Sequence, residues 1–244
     1  MNPTIELMRN HRSIRRFTDK AIEKNHLNAM IEAGQSASTS SYLQAYSVVR
    51  VTDRDKREKL ALWVGNQKYV DTAAEFLVFC ADLNRLFWAC EVNGKAMSTG
   101  WTELTLIAAV DAALMGQNVL LAAESLGYGG VFIGGIRNNP DKVSDLLGLP
   151  DQVFPVFGMC LGEPDQNPDP KPRLPLTSVL MDNEYQEPDQ AVLGPYDEHV
   201  KAYYINRTGG KIDHTWTQQV SGKLTLETRP HMKTYLTSKK LSER

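Results

Sequence analysis

Hydrophobic and polar positions alternate along the chain with two periods, which predict helices and strands respectively. Apolar residues recur every three or four positions in Lys24–Gly34, where Leu27, Met30 and Ile31 form one stripe, and this spacing indicates an amphipathic helix. Short β-branched or continuously apolar runs indicate strands instead. The predicted strands are Ser47–Val51, Phe76–Ala81, Val131–Ile133 and Val153–Leu161.

Three further short helices are predicted from local signals. A charged amphipathic segment covers Asp55–Val64. Thr4 is expected to cap a helix over Ile5–Arg9. Another helix is expected to begin at Pro140, because the fixed φ of proline suits the first helical position.

The longest apolar region, Leu104–Leu126, belongs to a helix predicted from about Thr102 and stopped by Gly127. This helix is apolar on nearly every face, which is typical of a helix that is buried on all sides or shared with a partner subunit. Four polar residues interrupt it, so we do not expect a membrane span. These are Asp111, Gln117, Asn118 and Glu124.

The composition changes at Gly162. Residues 162–175 contain five prolines and are expected to form an extended connection. The polar helical segments that follow have a weak core pattern, so we interpret them as an arm that packs on the main body or on a second subunit. Residues 1–162 are therefore predicted to form a core, and residues 163–244 a connection and arm of the same domain.

Charge and cysteine content exclude several classes of protein. The net charge of −2 gives no basic field for nucleic acid or an anionic membrane. The cysteines Cys80, Cys90 and Cys160 form no CxxC pair, so neither a zinc site nor a disulfide framework is expected. With no signal-peptide pattern at the N-terminus, we expect a reducing, cytoplasmic location.

Four short segments could carry chemistry. His11–Arg15 combines an imidazole, a hydroxyl and guanidinium groups, a set that suits a phosphate and an electron-rich carbonyl. Lys171–Pro175 holds two cations on a stiff backbone. Gly65–Tyr69 is a polar break, and the pair Gly134–Gly135 could let the backbone approach a flat ligand. From the residues alone, a solvated turn and a surface linker remain alternatives for the two basic segments.

Signatures of self-sufficient catalysis are missing. The sequence has no GxGxxG after a strand, no GxSxG elbow, no HExxH and no Walker loop. An enzyme of this sequence would therefore use a bound organic cofactor rather than a nucleophile or a metal.

Six segments in order resemble the oxygen-insensitive NADPH nitroreductases and the related NADPH–flavin oxidoreductases. The resemblance covers essentially the whole chain. The segments are His11–Arg15, Gly65–Tyr69, Ala74–Phe76, Ala122–Gly127, Gly130–Asn139 and Lys171–Pro175.

The resemblance implies an α+β fold with a mainly antiparallel sheet surrounded by helices, in an intertwined homodimer with FMN at each interface. Thr39 stands where the family usually has serine and keeps the hydroxyl. Substrate or NADPH contacts are implied for Ser41, Tyr42, Arg229 and, at the 2′-phosphate, Arg207. FMN contacts are implied for His11, Arg12, Ser13, Arg15, Thr39, Gln67, Lys68, Tyr69, Phe132, Ile133, Gly134, Gly135, Lys171 and Arg173.

The reaction implied is two-electron, ping-pong transfer from NADPH through FMN N5 to small-molecule acceptors: nitroaromatics, quinones, free flavin or a metal oxyanion. Arg15 is expected to stabilise the negative charge that the flavin gains, and no residue is assigned as catalytic acid or base. A non-catalytic flavin-binding or flavin-delivery protein is one alternative, and a domain that serves only in protein interaction is another.

Overall fold

A four-stranded antiparallel sheet forms the centre of the fold in the computed structural model, which describes residues 2–244. The strands run in the order β1-β2-β4-β3, so β1 and β3 form the two edges. Their bounds are β1 Tyr46–Arg50, β2 Glu75–Asp82, β3 Gly129–Ile133 and β4 Val153–Gly162. All four predicted strands are thereby confirmed.

Helices surround this sheet or follow it in the chain. The four helices predicted with both ends, α1, α2, α3 and α6, are confirmed to within two residues at each end, and α7 begins at Pro140 as predicted. The helices α8, α9 and α10 were predicted only as polar helical segments without bounds, and α4 and α5 were not predicted. The helices are α1 Pro3–Arg9, α2 Lys24–Gln35, α3 Arg54–Trp63, α4 Tyr69–Thr72, α5 Asn84–Glu91, α6 Thr102–Ser125, α7 Pro140–Leu147, α8 Gln190–Thr208, α9 Trp216–Leu224 and α10 Met232–Ser238.

The predicted cap of α1 is wrong. Asn2 is the N-cap, and its side chain accepts a hydrogen bond from the Ile5 amide at 3.0 Å. Thr4 lies inside the helix because Pro3, whose φ is already helical, begins it.

The two faces of the sheet carry separate hydrophobic layers. All eight residues of β2 are buried, which explains their continuous apolar run. On one face Phe76 and Val78 belong to a cluster with Leu60 of α3 and Val143 of α7. On the other face the cluster contains Leu77, Phe79, Met30 of α2 and Val119 of α6. The sheet is therefore enclosed by helices on both sides.

Helix α6 is long and apolar enough to span a membrane, with a mean hydropathy of 1.7. Length and composition alone are weak support for a span, since a core helix meets the same criteria. Here α6 supplies buried residues to the core below the sheet. A stripe at Leu106, Val110 and Leu114 nevertheless stays 56%, 55% and 44% exposed.

The chain divides into two compact units. The first runs from the N-terminus through Asn167 and includes Arg229–Arg244, and the second is Pro168–Thr228. In the first unit, α10 returns to the core, where the hydroxyls of Tyr235 and Ser144 lie 2.6 Å apart. In the second, α8 packs on α9 through Tyr196 and Trp216.

Candidate functional site

The basic N-terminal segment lies along the edge strand β3. The Ile14 amide donates to the Gly130 carbonyl at 2.9 Å, and Ser13 forms a parallel bridge with Gly130. Ile14 is buried, and a Cβ on Gly129 would lie only 2.5 Å from it. Because neighbouring side chains of an extended segment alternate in direction, Arg15 is left exposed beside the buried Ile14.

His11 is held by a carboxylate of α6. Its Nδ1 lies 2.6 Å from Oε1 of Glu124, and both side chains are largely buried. An ionised carboxylate only accepts hydrogen bonds, so the imidazole carries a proton on Nδ1 and presents Nε2 to a ligand.

Arg12 has a buried nitrogen without a partner. Among residues 2–244, its Nε is one of four buried side-chain polar atoms that make no hydrogen bond. Arg12 lines a cavity of about 230 Å³ that also contains Gln166 and Asn167. A buried donor left unpaired is costly, so this cavity favours an acceptor, and a guanidinium favours an anionic one.

The segments Gly65–Tyr69 and Gly134–Gly135 meet in the same unit. A Cβ on Gly135 would lie 2.2 Å from the Val64 carbonyl oxygen, and Gln67 donates to that same oxygen at 3.0 Å. Tyr69 in turn donates to Gln67 at 2.7 Å. The space left by the missing side chain of Gly135 is therefore filled by the protein's own backbone, and the predicted ligand contact of Gly135 stays a prediction for its backbone atoms.

Gly134 and Phe132 fit the ligand hypothesis better. A Cβ on Gly134 would lie 3.8 Å from its nearest neighbour, Nη2 of Arg137, and Phe132 is 37% exposed. Between them, Ile133 is 1% exposed within the core, so only its backbone can contact a ligand.

Thr39, Ser41 and Tyr42 lie towards the opposite edge of the sheet. They precede β1, whereas the N-terminal segment pairs with β3. The two edges are separated by three strand spacings, about 14 Å. The Ser40 amide binds Asp111 of α6 at 3.0 Å, and Tyr42 is 83% exposed. One chain therefore does not bring these hydroxyls to the N-terminal segment.

Arg229 belongs to the first unit and lies next to the turn after Gly135. Its Nε donates to Oδ1 of Asn138 at 3.0 Å. Nearby, Nε2 of His231 lies 2.9 Å from the Arg137 carbonyl oxygen. The C-terminal return of the chain thus adds a cation beside Gly134–Asn138.

The second unit holds the remaining predicted cations. Lys171 and Arg173 line a cavity of about 420 Å³, together with Lys223 and several aromatic residues. The Lys171 ammonium lies 5.5 Å from the centre of the Tyr204 ring. Arg207 is exposed, and it donates to the Tyr203 hydroxyl at 2.7 Å.

Two of the three thiols, Cys80 and Cys160, are buried. Residues 2–244 contain no group of three or more His, Cys, Asp or Glu residues that could hold a metal ion. Burial raises the pKa of Cys80 to about 12 and also raises the pKa of Cys160. Neither thiol is a nucleophile near neutral pH.

Sequence reasoning assigned no site role to Asp111 or Glu124. The signal was present, because each is a carboxylate in a helix that is apolar on nearly every face. Such a charge requires a partner when it is buried. The partners, Ser40 and Ala45 for Asp111 and His11 for Glu124, are far away in sequence.

Comparison with known proteins agrees with this arrangement. The chain is 52% identical to the NADPH-flavin oxidoreductase of Vibrio harveyi, over 100% of both chains. It is 49% identical to the oxygen-insensitive NADPH nitroreductase of Salmonella typhimurium, over 97% of both chains. The solved structure of the Vibrio harveyi NADPH:FMN oxidoreductase complexed with NAD+ has a TM-score of 0.92, with 51% identity and full coverage of both chains.

Two family models divide the sequence between them. Residues 8–163 match the model of the Nitroreductase family, and residues 171–244 match that of its C-terminal domain. Since the first match covers well over half of the chain and full-length relatives share about half of its residues, the chain belongs to the nitroreductase family.

Proposed function

We propose that the protein is an FMN-dependent oxidoreductase that uses NADPH to reduce nitroaromatics, quinones or free flavin. The observation that carries this proposal is that the basic segment His11–Arg15 lies along β3, the strand that leads into Gly134. The full-length relatives named as NADPH-flavin oxidoreductase and NADPH nitroreductase support the activity.

The residues fit FMN. Arg12 offers a donor for a terminal phosphate, and His11 offers Nε2 once Glu124 holds Nδ1. Lys171 and Arg173 are also assigned to FMN, as the resemblance implies, and Gln67, Lys68, Tyr69 and Phe132–Gly135 are assigned to the flavin ring. When bound, FMN accepts hydride equivalents from NADPH and passes two electrons to an acceptor.

The protein's own contribution is charge and position. Arg15, exposed beside β3, stabilises negative charge on the reduced cofactor. Arg229, held by Asn138, and the loop with Ser41 and Tyr42 orient the acceptor. Arg207, held by Tyr203, binds the NADPH 2′-phosphate. No side chain is assigned as a proton donor.

The working unit is a homodimer. The stripe of Leu106, Val110 and Leu114 leaves an apolar face on α6 without cover from the described residues of its own chain. The loop before β1 and the segment along β3 also lie at opposite sheet edges. A second copy packed on α6 covers the apolar face and brings one chain's Thr39 towards the other's Arg12.

Partners are otherwise small molecules, without nucleic acid or membrane, and the location is cytoplasmic. The three cysteines are free, which suits a reducing compartment.

Anaerobic addition of NADPH to the purified yellow protein tests the activity. We expect the flavin absorbance to bleach and to return when a nitroaromatic, a quinone or free FMN is added. The relative rates of return identify the preferred acceptor. A protein that binds flavin but is not bleached by NADPH would be a flavin carrier, and one that binds no flavin would serve another role.

A further inference from the structure

Asp111 is a buried charge in the middle of an apolar helix. It is 1% exposed, and its two carboxylate oxygens accept hydrogen bonds from the backbone amides of Ser40 at 3.0 Å and Ala45 at 3.1 Å. Burying a carboxylate is expensive unless such bonds compensate for lost water. Both bonds reach one loop, so the carboxylate clamps that loop at its two ends.

The clamped loop has an unusual backbone. Ser41, Tyr42 and Gln44 have φ values of +48°, +59° and +52°, although none is glycine. L-residues avoid this region, and several such residues in succession persist only where the surroundings hold them. The segment between the two amides bound by Asp111 is therefore strained and depends on its anchors.

We infer that Asp111 is a positioning residue that holds the loop of residues 39–45 in the strained form required by the active site. The inference rests on the proposed function, which assigns Thr39 to FMN and Ser41 and Tyr42 to the acceptor. Thr39 and Ser40 of the loop line an open cavity of about 340 Å³ together with residues of α6, among them Asp111 and the apolar stripe. The clamp thus sets where the loop hydroxyls face.

The isosteric variant Asp111→Asn tests the clamp, because an amide keeps one acceptor and places an NH2 group against the other backbone donor. We expect the KM for a nitroaromatic acceptor to rise about tenfold, the lower end for loss of a hydrogen bond to a charged group. FMN content should change less than the KM, since the contacts along β3 are untouched and Thr39 is the one FMN residue in the clamped loop. The matched control is Asn118→Ala, which removes a side-chain bond from α6 to Ala33 rather than to the loop.

Limited digestion with chymotrypsin gives a readout that is independent of flavin chemistry. Tyr42 and Tyr185 are 83% and 74% exposed, so cutting at Tyr185 is an internal reference. In Asp111→Asn the rate of cutting at Tyr42 should rise relative to Tyr185, and in Asn118→Ala the ratio should stay at the wild-type value. Unchanged cutting, or faster cutting without a change in KM, overturns the inference.

Hydrogen exchange of the wild-type protein tests whether Asp111 holds the loop, even if the Asp111→Asn variant does not fold. The Ser40 and Ala45 amides should exchange slowly, because both donate to the buried Asp111 carboxylate. Fast exchange at Ser40 and Ala45 would overturn the clamp. A wild-type protein that NADPH does not bleach would instead refute the proposed function and leave these two structural measurements standing.

Discussion

At the scale of single residues, the chemistry depends on how buried polar atoms are paired. Glu124 would repel a phosphate near Arg12, but His11 satisfies it at 2.6 Å. Arg12 lines a cavity, and its Nε is buried without a partner. A buried group that lacks a partner in the protein alone is where a ligand atom can add most free energy of binding.

Arg12→Ala should therefore weaken FMN binding. Loss of one charge-assisted bond costs about 1.5–3 kcal/mol, which corresponds to roughly 10- to 150-fold in affinity. Equilibrium dialysis measures the change. Arg16→Ala is the matched control, because Arg16 is exposed and donates to the Asp165 carbonyl instead. Equal FMN affinity in Arg12→Ala and Arg16→Ala would refute the assignment.

Tyr235 should make stability fall at high pH. Burial raises the pKa of its hydroxyl to about 12 in the folded protein. In the unfolded chain the tyrosine hydroxyl ionises near pH 10. The stabilisation that Tyr235 contributes is therefore fully present below pH 10 and is lost as pH rises towards 12. Over this range the free energy of unfolding falls by up to about 1.4 kcal/mol per pH unit. Urea unfolding between pH 9 and 11 measures the slope. Tyr235→Phe should be less stable at pH 8, because the bond to Ser144 is lost, yet show a shallower alkaline slope; parallel slopes would contradict this.

At the scale of elements, α6 links the core to the surface that we assign to the partner. Met115 and Val119 are buried below the sheet, while Leu106 and Val110 face outward. The helix has apolar residues all round because both sides need them. Substitutions in its outward stripe therefore test dimer assembly, and substitutions in its inward stripe test the stability of the fold.

Val110→Asp should break the dimer. A charge at the centre of an apolar interface is buried without a partner, which costs several kcal/mol. Analytical ultracentrifugation at micromolar concentration should show monomers that have lost flavin. Leu62→Asp is the control, since Leu62 is 65% exposed on α3, on the opposite face of the sheet from α6. A Val110→Asp dimer that retains FMN would exclude this face as the interface.

At the scale of the whole molecule, the site residues are distributed over two compact units. The first unit contains the segment along β3, the loops at Gly65–Tyr69 and Gly134–Asn138, and Arg229. The second contains Lys171, Arg173 and Arg207.

Arg207→Ala should therefore separate the two coenzymes. NADPH carries a 2′-phosphate that NADH lacks, and loss of a cation bound to it costs about 1.5–3 kcal/mol. We expect the KM for NADPH to rise roughly 10- to 150-fold while NADH kinetics stay nearly unchanged. Lys201→Ala is the control, because it removes another cation of α8, at a position before Arg207. Equal losses with both coenzymes would mean that Arg207 has a structural role.

Local pattern was sufficient for the elements and for the family. Periodicity and end signals placed each strand and five of the ten helices in residues 2–244, because hydrophobic spacing and caps act over a few neighbouring residues. The helix α4 was missed because it is only four residues long, and α5 because no spacing signal was recognised there. Six short segments in order were sufficient for the resemblance, since that needs no knowledge of contacts.

The tertiary structure decided which residues each site residue contacts. Gly135 packs against Val64, which is 71 positions away, and His11 meets Glu124, which is 113 positions away. Asp111 likewise holds a loop whose amides lie 71 and 66 positions earlier in the chain. Such pairings depend on how helices and strands pack, and many arrangements satisfy the same local pattern. The sequence by itself therefore determined the elements and the kinship of this protein, and only the fold decided which donors were paired and which were left for a ligand.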